Sequence, residues 1–316
     1  MLISFKDAPI SLLCELWQSM YPVRYHVDDE IIRINTVACS VFDWGASCIS
    51  VFDDAVNGFL AIKRSANPTL YRGPGYDQAH VSAIAFIEPE VGVDMMAHAK
   101  KILTLRGVDQ LVFGQDARHF FPGCPIDIAR VRDFLVVEGF ESGSEVMDLE
   151  RDLANYVSPT DTDASIQAAD MDVAVVTPAM MDALRDFLKQ EFNGRWRHDV
   201  LSKIEAEGRS DFVDVLLSDG KVEGFALTQD NSHTLPIAGA VWRTSLGADW
   251  STLGPIGVSK AVRGKGLGDA LLSKSLLRLK AAGQRRCLID WTTSDAWYGK
   301  HGFVPTRRYE AMTLKL

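Results

Sequence analysis

The chain is poor in paired cysteines, in positive charge and in long apolar runs, and each shortage narrows what it can be. Its five cysteines (Cys14, Cys39, Cys48, Cys124 and Cys287) lie far apart and form no C-x-x-C pair. An odd count of scattered thiols fits a reducing compartment and argues against a disulfide framework. The N-terminal MLISFKDAPI lacks a basic segment followed by an apolar core, so no secretory leader is expected and the expected location is cytoplasmic. No stretch approaches the ~18 consecutive apolar residues that a membrane span requires. Lys and Arg total 33 against 42 Asp and Glu, a formal charge of −9. A general nucleic-acid or anionic-membrane binder needs a basic face, so neither partner is expected. The seven histidines are scattered and no H-E-x-x-H occurs, so no metal is expected.

What remains is a globular chain of 316 residues, 47% hydrophobic and 24% charged. That length is too great for one ordinary domain of roughly 100–150 residues and about right for two. The halves resemble each other. Asp54-Ala55-Val56-Asn57-Gly58-Phe59 recurs as Gly220-Lys221-Val222-Glu223-Gly224-Phe225, in each case a turn followed by an apolar run that reads as a hairpin. Arg24-Tyr25 parallels Arg195-Trp196, each after an amphipathic helix (10–21 and 179–192). Helices at 94–107 and 269–283 both end in glycine and lead into short apolar strands, LVFG and CLID. FLVVEGF (134–140) and WYGKHGF (297–303) each read as a short helix ended by Gly-Phe and followed by a strand. The collinear order predicts two related α/β domains at 1–155 and 170–316, joined by a linker at 154–170 that is poor in large apolar residues.

The chemistry concentrates in residues 253–273, LGPIGVSKAVRGKGLGDALLS. A strand from Leu253 to Val258 runs into Arg263-Gly264-Lys265-Gly266-Leu267-Gly268, and a strong helix comes next. Three glycines let successive N–H groups face one point, and the helix N-terminus adds unpaired donors and a positive dipole end. Lys260, Arg263 and Lys265 add charge. Such a bend binds a phosphate or diphosphate. It is not the Walker loop, because glycine follows Lys265, nor the dinucleotide fingerprint, because Asp269 stands at the third glycine position. Gly257-Val258-Ser259-Lys260-Ala261 misses the G-x-S-x-G nucleophile elbow at its last position. R-x-x-G-x-G does fit, as Arg263, Gly266 and Gly268.

That pattern between a strand and a helix resembles the acetyl-CoA loop of the GNAT superfamily of N-acyltransferases. Tyr298-Gly299-Lys300-His301-Gly302-Phe303 matches the family's Y-x-K-x-G-F signature, just beyond the next strand. The resemblance covers 177–316 and, in degenerate form, the first half. It implies an α/β fold of two tandem GNAT-like domains, each a mixed β-sheet that splays open and is flanked by helices. In the second domain the sheet would part between Leu253–Val258 and Cys287–Trp291. The pantetheine arm of acetyl-CoA would pair with Ile256, Gly257 and Val258, and its pyrophosphate would rest on Arg263, Gly264, Lys265, Gly266, Leu267 and Gly268. The implied activity is transfer of an acetyl group from acetyl-CoA, as cosubstrate, to a primary amine of a small molecule. FFPGCP in the first half and IDWTT in the second also resemble tandem GNAT proteins associated with amino-sugar metabolism, which points to an amino sugar as acceptor. The reading from another class is a non-enzymatic CoA-binding regulatory or interaction module. A monomer or homodimer is expected.

Within that resemblance the Val258 N–H would hold the oxyanion. Tyr298, a phenol of pKa near ~10, would protonate or hydrogen-bond a thiolate of parent pKa about 8.5, beside the cofactor. Asp290 is the expected general base, with Glu223 and His233 as alternatives and helix capping as the bland reading of Asp290. Arg195 and Trp196, in an expected loop at 193–199, would hold an acidic group and stack on a sugar or ring of the acceptor. They would equally serve as a structural corner, since Arg24-Tyr25 recurs in the other half. The first half carries Glu88, Pro89 and Glu90 where the second has its glycines and cations, and Leu135 where the second has Tyr298. A diphosphate there would meet like charge, so the 1–155 domain is expected not to bind CoA. Its insertion His119-Phe120-Phe121-Pro122-Gly123-Cys124-Pro125 reads either as a functional loop or as aromatics packed on the other domain.

Overall fold

The computed structural model describes residues 1–65, 70 and 77–316. The chain divides into two compact units, Met1–Met147 with Val241–Ser245 and Arg307–Leu316, and Asp148–Ala240 with Leu246–Thr306. The first unit contains, in order, β1 (Leu2–Ile3), α1 (Ile10–Met20), α2 (Asp29–Asn35), β2 (Cys48–Phe52), β3 (Ala55–Arg64), β4 (Gln78–Phe86), α3 (Pro89–Leu105), β5 (Gln110–Phe113), β6 (Cys124–Pro125), α4 (Ala129–Val137) and the start of β7 (Glu141–Asp152). The second holds the rest of β7, then α5 (Thr162–Ala168), β8 (Asp172–Val175), α6 (Met181–Glu191), α7 (Arg195–Glu207), β9 (Val213–Ser218) and β10 (Lys221–Asp230). After the short α8 (Arg243–Leu246) come β11 (Trp250–Val258), α9 (Leu267–Ala281), β12 (Arg286–Thr292), α10 (Asp295–Lys300) and β13 (Val304–Lys315); most of α8 and of β13 belongs to the first unit.

The repeat read from the sequence reappears as shared backbone irregularities. Both hairpins turn on two successive positive-φ residues, Asp53 and Asp54 in one, Asp219 and Gly220 in the other. Such a turn twists with the strands it joins, and Asp and Gly tolerate it. Past each turn the register slips, leaving Asn57 and Glu223 as equivalent bulges. Each bulge carbonyl accepts from the next strand's end, Ile87 N to Asn57 O at 2.9 Å and Ser259 N to Glu223 O at 2.7 Å. Phe86 is therefore the counterpart of Val258.

In both units one parallel strand pair is short. β4 and β5 pair only from Gln78–Gln110 to Val81–Phe113, and β11 and β12 only from Trp250–Arg286 to Thr252–Leu288. Beyond those pairs the strands part. Each sheet then takes its outer strand from the opposite repeat: the end of β13 pairs with β5 (Thr313 opposite Val112), and β7 lies beside β12. The stretch expected to be a plain linker instead contains α5, capped by Asp161, whose carboxylate accepts from Ala164 N at 3.0 Å.

The second unit's core forms where α6 lays Leu184, Phe187 and Leu188 over Val213, Val215, Val222, Phe225 and Leu227 of the sheet. Each such side chain stabilises the fold by roughly 1.5–3 kcal/mol on full burial. In the first unit, Phe120 and Phe121 are both 0% exposed. They stack on Trp17 at 5.1 and 5.4 Å, and Phe121 also meets Tyr21, Tyr25 and Phe113. They do not form an exposed loop: Phe121 also packs on Trp242 and Tyr309, at 5.3 and 6.2 Å, residues from the 170–316 stretch that belong to this same compact unit. A fully buried Lys63–Asp116 pair at 2.6 Å, with Lys63 also donating to the carbonyls of Ala117 and Arg118, ties the root of that insertion to β3.

Candidate active site

The second unit's site grows from the parting of β11 and β12. In an antiparallel ladder alternate residues turn their N–H and C=O to opposite sides. Gly257 faces β10, opposite Phe225, and Ser259 N reaches Glu223 O. Ile256 and Val258 therefore turn their backbone groups away from β10, into the space that β12 has left. Gly257 presents its bare Cα to the ring of Phe192, where any Cβ would collide.

Beyond Val258 the chain makes a short turn at Lys260–Val262 and a bend with Gly264 and Gly266 at φ +76° and +75°, and α9 starts at Leu267. Among the described residues, no hydrogen bond is made by the backbone N–H groups from Arg263 to Gly268, and no side chain caps the helix. These donors stand open on a largely exposed bend at a helix N-terminus, a cradle able to take an anion. Arg263, Lys265 and Lys260 are exposed beside it. Arg263 Nε donates to Val258 O at 3.3 Å, and the Lys260 N–H is held by Glu191 at 3.1 Å. A cleft of about 780 Å³ lies between Lys265 and α5, with Ala164, Ala168 and Met171 among its walls.

Tyr298 lies on α10, buried, with its ring 4.6 Å from Trp297 and 6.0 Å from Phe303. Burial, with the negative charge of nearby Asp290, pushes its phenol above the ordinary value. Its hydroxyl makes no hydrogen bond among the described residues. The helix is pinned to the cradle by Asp269, whose Oδ1 accepts from Trp297 Nε1 at 2.9 Å and from His301 Nε2 at 3.1 Å. Burial lowers the His301 pKa, which favours the neutral ring.

Asp290 sits inside β12, half-buried, two residues past the last β11–β12 pair. A Cβ on Gly254 would stand 3.6 Å from its Oδ1, and one on Gly239 would stand 3.2 Å from its Cβ. It does not act as the cap of α10, because Ser294 occupies that position and bonds through its N–H to Thr292 Oγ1 at 3.0 Å. The other two candidate bases are engaged elsewhere. Glu223 is gripped by Ser259 and Lys221 beside α6, and His233 packs on Phe212 with Nδ1 3.3 Å from Asp230.

Arg195 and Trp196 belong to the first turn of α7, not to a loop. Arg195 Nε bonds both oxygens of Asp199, at 2.8 and 2.7 Å, and its guanidinium lies 6.0 Å from the ring of Trp291 on β12. Trp196 is 41% exposed and leans on Phe192 and Phe225. The corresponding Tyr25 is fully buried and bonds Asp127. The two Arg-aromatic pairs therefore sit in different surroundings. Sequence reasoning missed Trp291, whose φ of +46° is rare for a bulky residue, and Asp148, whose Oδ1 accepts its N–H at 3.2 Å. IDWTT marked the segment but not the bent backbone at Trp291, and a lone Asp in another strand carries no motif.

The first unit shares the parted strands but not the bend that follows them. Only Ile87 and Glu88 separate β4 from α3, so the helix expected at 94–107 starts at Pro89 and no phosphate bend exists. The amide of Phe86, counterpart of Val258, donates to Met20 Sδ at 3.3 Å. The carbonyl of Ile84, counterpart of Ile256, accepts from the Tyr21 hydroxyl at 2.8 Å.

Comparison with known proteins agrees with this geometry. The profile of the acetyltransferase (GNAT) family matches residues 178–303. This segment is a GNAT domain. No curated protein sequence matches the chain. Among solved structures, the chain is similar to a GCN5-related glucosamine N-acetyltransferase region in a fungal multi-domain GH3 β-N-acetylglucosaminidase, at TM-score 0.88 and 16% identity. That match covers 99% of this chain but 38% of the fungal one. A GCN5-related N-acetyltransferase from Sphaerobacter thermophilus gives 0.70 and 13% identity, over 99% of this chain and 95% of that one. A tandem GNAT protein from the clavulanic acid biosynthesis pathway gives 0.67 and 14%, over 100% and 98%. The whole chain thus has the tandem GNAT fold, its C-terminal GNAT domain carrying the open wedge. Among the described residues no cluster of His, Cys, Asp and Glu is arranged to hold a metal, and no helix is long and apolar enough to cross a membrane.

Proposed function

We propose that the C-terminal GNAT domain transfers the acetyl group of acetyl-CoA directly to a primary amine of a small molecule, an amino sugar being the favoured class. One observation carries the reading: the run of open amides from Arg263 to Gly268, set between exposed cations at the head of α9 and next to the parted strands. A diphosphate is the anion such a run fits, and an extended amide-bearing arm fits the outward backbone groups of Ile256 and Val258.

In this reading the Val258 N–H donates to the thioester oxygen as negative charge grows on it. Asp290 takes a proton from the bound ammonium, directly or through water, and leaves the neutral amine that attacks the thioester carbonyl. Tyr298 keeps its proton, because burial pushes its phenol up, and hydrogen-bonds the departing sulfur; as the C–S bond breaks, the second proton of the attacking nitrogen passes to the thiolate, which leaves as the free thiol of CoA. Trp196 offers an exposed ring face on which a sugar can stack. The fungal relative's glucosamine N-acetyltransferase region supports the amino-sugar class.

The test incubates the full chain with acetyl-CoA and a panel of amino sugars and plain amines, reading free thiol. Acceptor-dependent thiol release, fastest with amino sugars, is expected. Tight CoA binding without release for any acceptor would favour a non-enzymatic CoA-binding module. No binding at millimolar CoA would end both.

A further inference from the structure

Trp291 breaks a local rule. A bulky residue inside a strand takes φ +46°, a conformation in which Cβ crowds the following carbonyl. Such a conformer persists only where its surroundings hold it, and it recurs where a site depends on it. Here the holder is Asp148, a fully buried carboxylate on β7 whose Oδ1 accepts the Trp291 N–H at 3.2 Å. The bent backbone has two effects. The left-handed residue ends the regular alternation of β12 at Asp290, whose carboxylate is left over Gly254 where the strands part. It also swings the indole toward the Arg195 guanidinium, 6.0 Å from the ring.

We propose that Asp148 is a positioning residue, and that by accepting the Trp291 N–H it sets Asp290 and the Trp291 indole at the acceptor side of the wedge. This rests on the acetyltransferase reading. Asp148 and Trp291 both belong to the second unit, so the side chain that shapes its site comes from within that unit. An aspartate at this place is under no demand from the core, since a buried carboxylate is costly unless a donor answers it.

The test is a cycle of full-length variants, D148A, W291G and the pair. Glycine adopts the left-handed conformation without help. If Asp148 acts by holding Trp291, D148A lowers kcat by at least about tenfold in the wild-type background, because misplacement of a reacting group by an ångström costs that much or more. In the W291G background the same change costs less than about twofold. CoA affinity by calorimetry stays within about twofold throughout, and D148N, which keeps an oxygen acceptor, recovers most of the loss. Amide exchange of the segment around Trp291 accelerates in D148A and not in D148N. An equal loss in both backgrounds, or unchanged exchange, overturns the proposal. If D148A fails to fold, the same cycle run with D148L decides by the same criterion. Wild-type chain that does not bind CoA would instead sink the acetyltransferase reading, and the exchange measurement would still judge Asp148.

Discussion

Tyr298 and Gly266 show how much a single position decides. Burial and the charge of Asp290 raise the Tyr298 phenol, so the hydroxyl serves as a firm hydrogen-bond donor rather than a ready acid. Tyr298→Phe removes that donor and little else, since the ring stays packed between Trp297 and Phe303. Steady-state kinetics should show kcat falling at least about tenfold, in line with the usual worth of such a group, while calorimetric CoA affinity changes less than about twofold. Wild-type turnover would remove the role. Gly266 stands at φ +75° with no atom nearer than Ser165 Oγ, at 3.8 Å, to an added Cβ. Space is therefore not the obstacle. Alanine in the left-handed region costs about 1–2 kcal/mol, and relaxing it would turn amides away from the anion. Gly266→Ala should weaken CoA binding by roughly tenfold. Unchanged affinity would show that these amides do not hold the diphosphate.

At the level of elements, the two halves differ in the connection that leaves the parted strand. One has a glycine-bearing bend before α9, the other passes almost directly into α3. The first unit's wedge is closed as well as unequipped, since Phe121 meets Trp17, Tyr25 and Phe113 and the open backbone groups are answered by Met20 and Tyr21. Phe121→Ala should therefore cost about 3–5 kcal/mol of stability, read as a lowered denaturant midpoint. It should create no second site, and calorimetry should find one CoA per chain in both wild type and variant. A stoichiometry of two in either would contradict a closed first wedge.

For the molecule as a whole, stability at low pH depends on a buried pair in the second unit. Burial alone would raise Glu207, but hydrogen bonds from Leu235 N–H, Lys203 and Thr234 N–H outweigh it and hold the carboxyl near about 2, against an ordinary 4.5. A folded-state pKa below the unfolded one gives stability that is present above pH 4.5 and is lost as pH falls toward 2. The contribution is on the order of 3 kcal/mol for the carboxylate. The pair's net worth is smaller, because burial also pulls the Lys203 ammonium down to about 8. Glu207→Gln should flatten the fall of the urea midpoint between pH 4.5 and 2. An unchanged slope would place the acid sensitivity elsewhere. The duplication, the hairpins and the glycine bend before α9 were legible because each is local: turn residues, helical spacing and glycines act on their neighbours in the chain. Arg195 and Trp196 were legible as residues but not as a helix, since Gly194 before them reads as a loop. The exchange of last strands, the plugging of the first wedge by Phe120 and Phe121, and the Asp148–Trp291 bond were settled only by tertiary structure. Each joins residues far apart in sequence, where no periodicity or motif connects the partners and packing alone selects them.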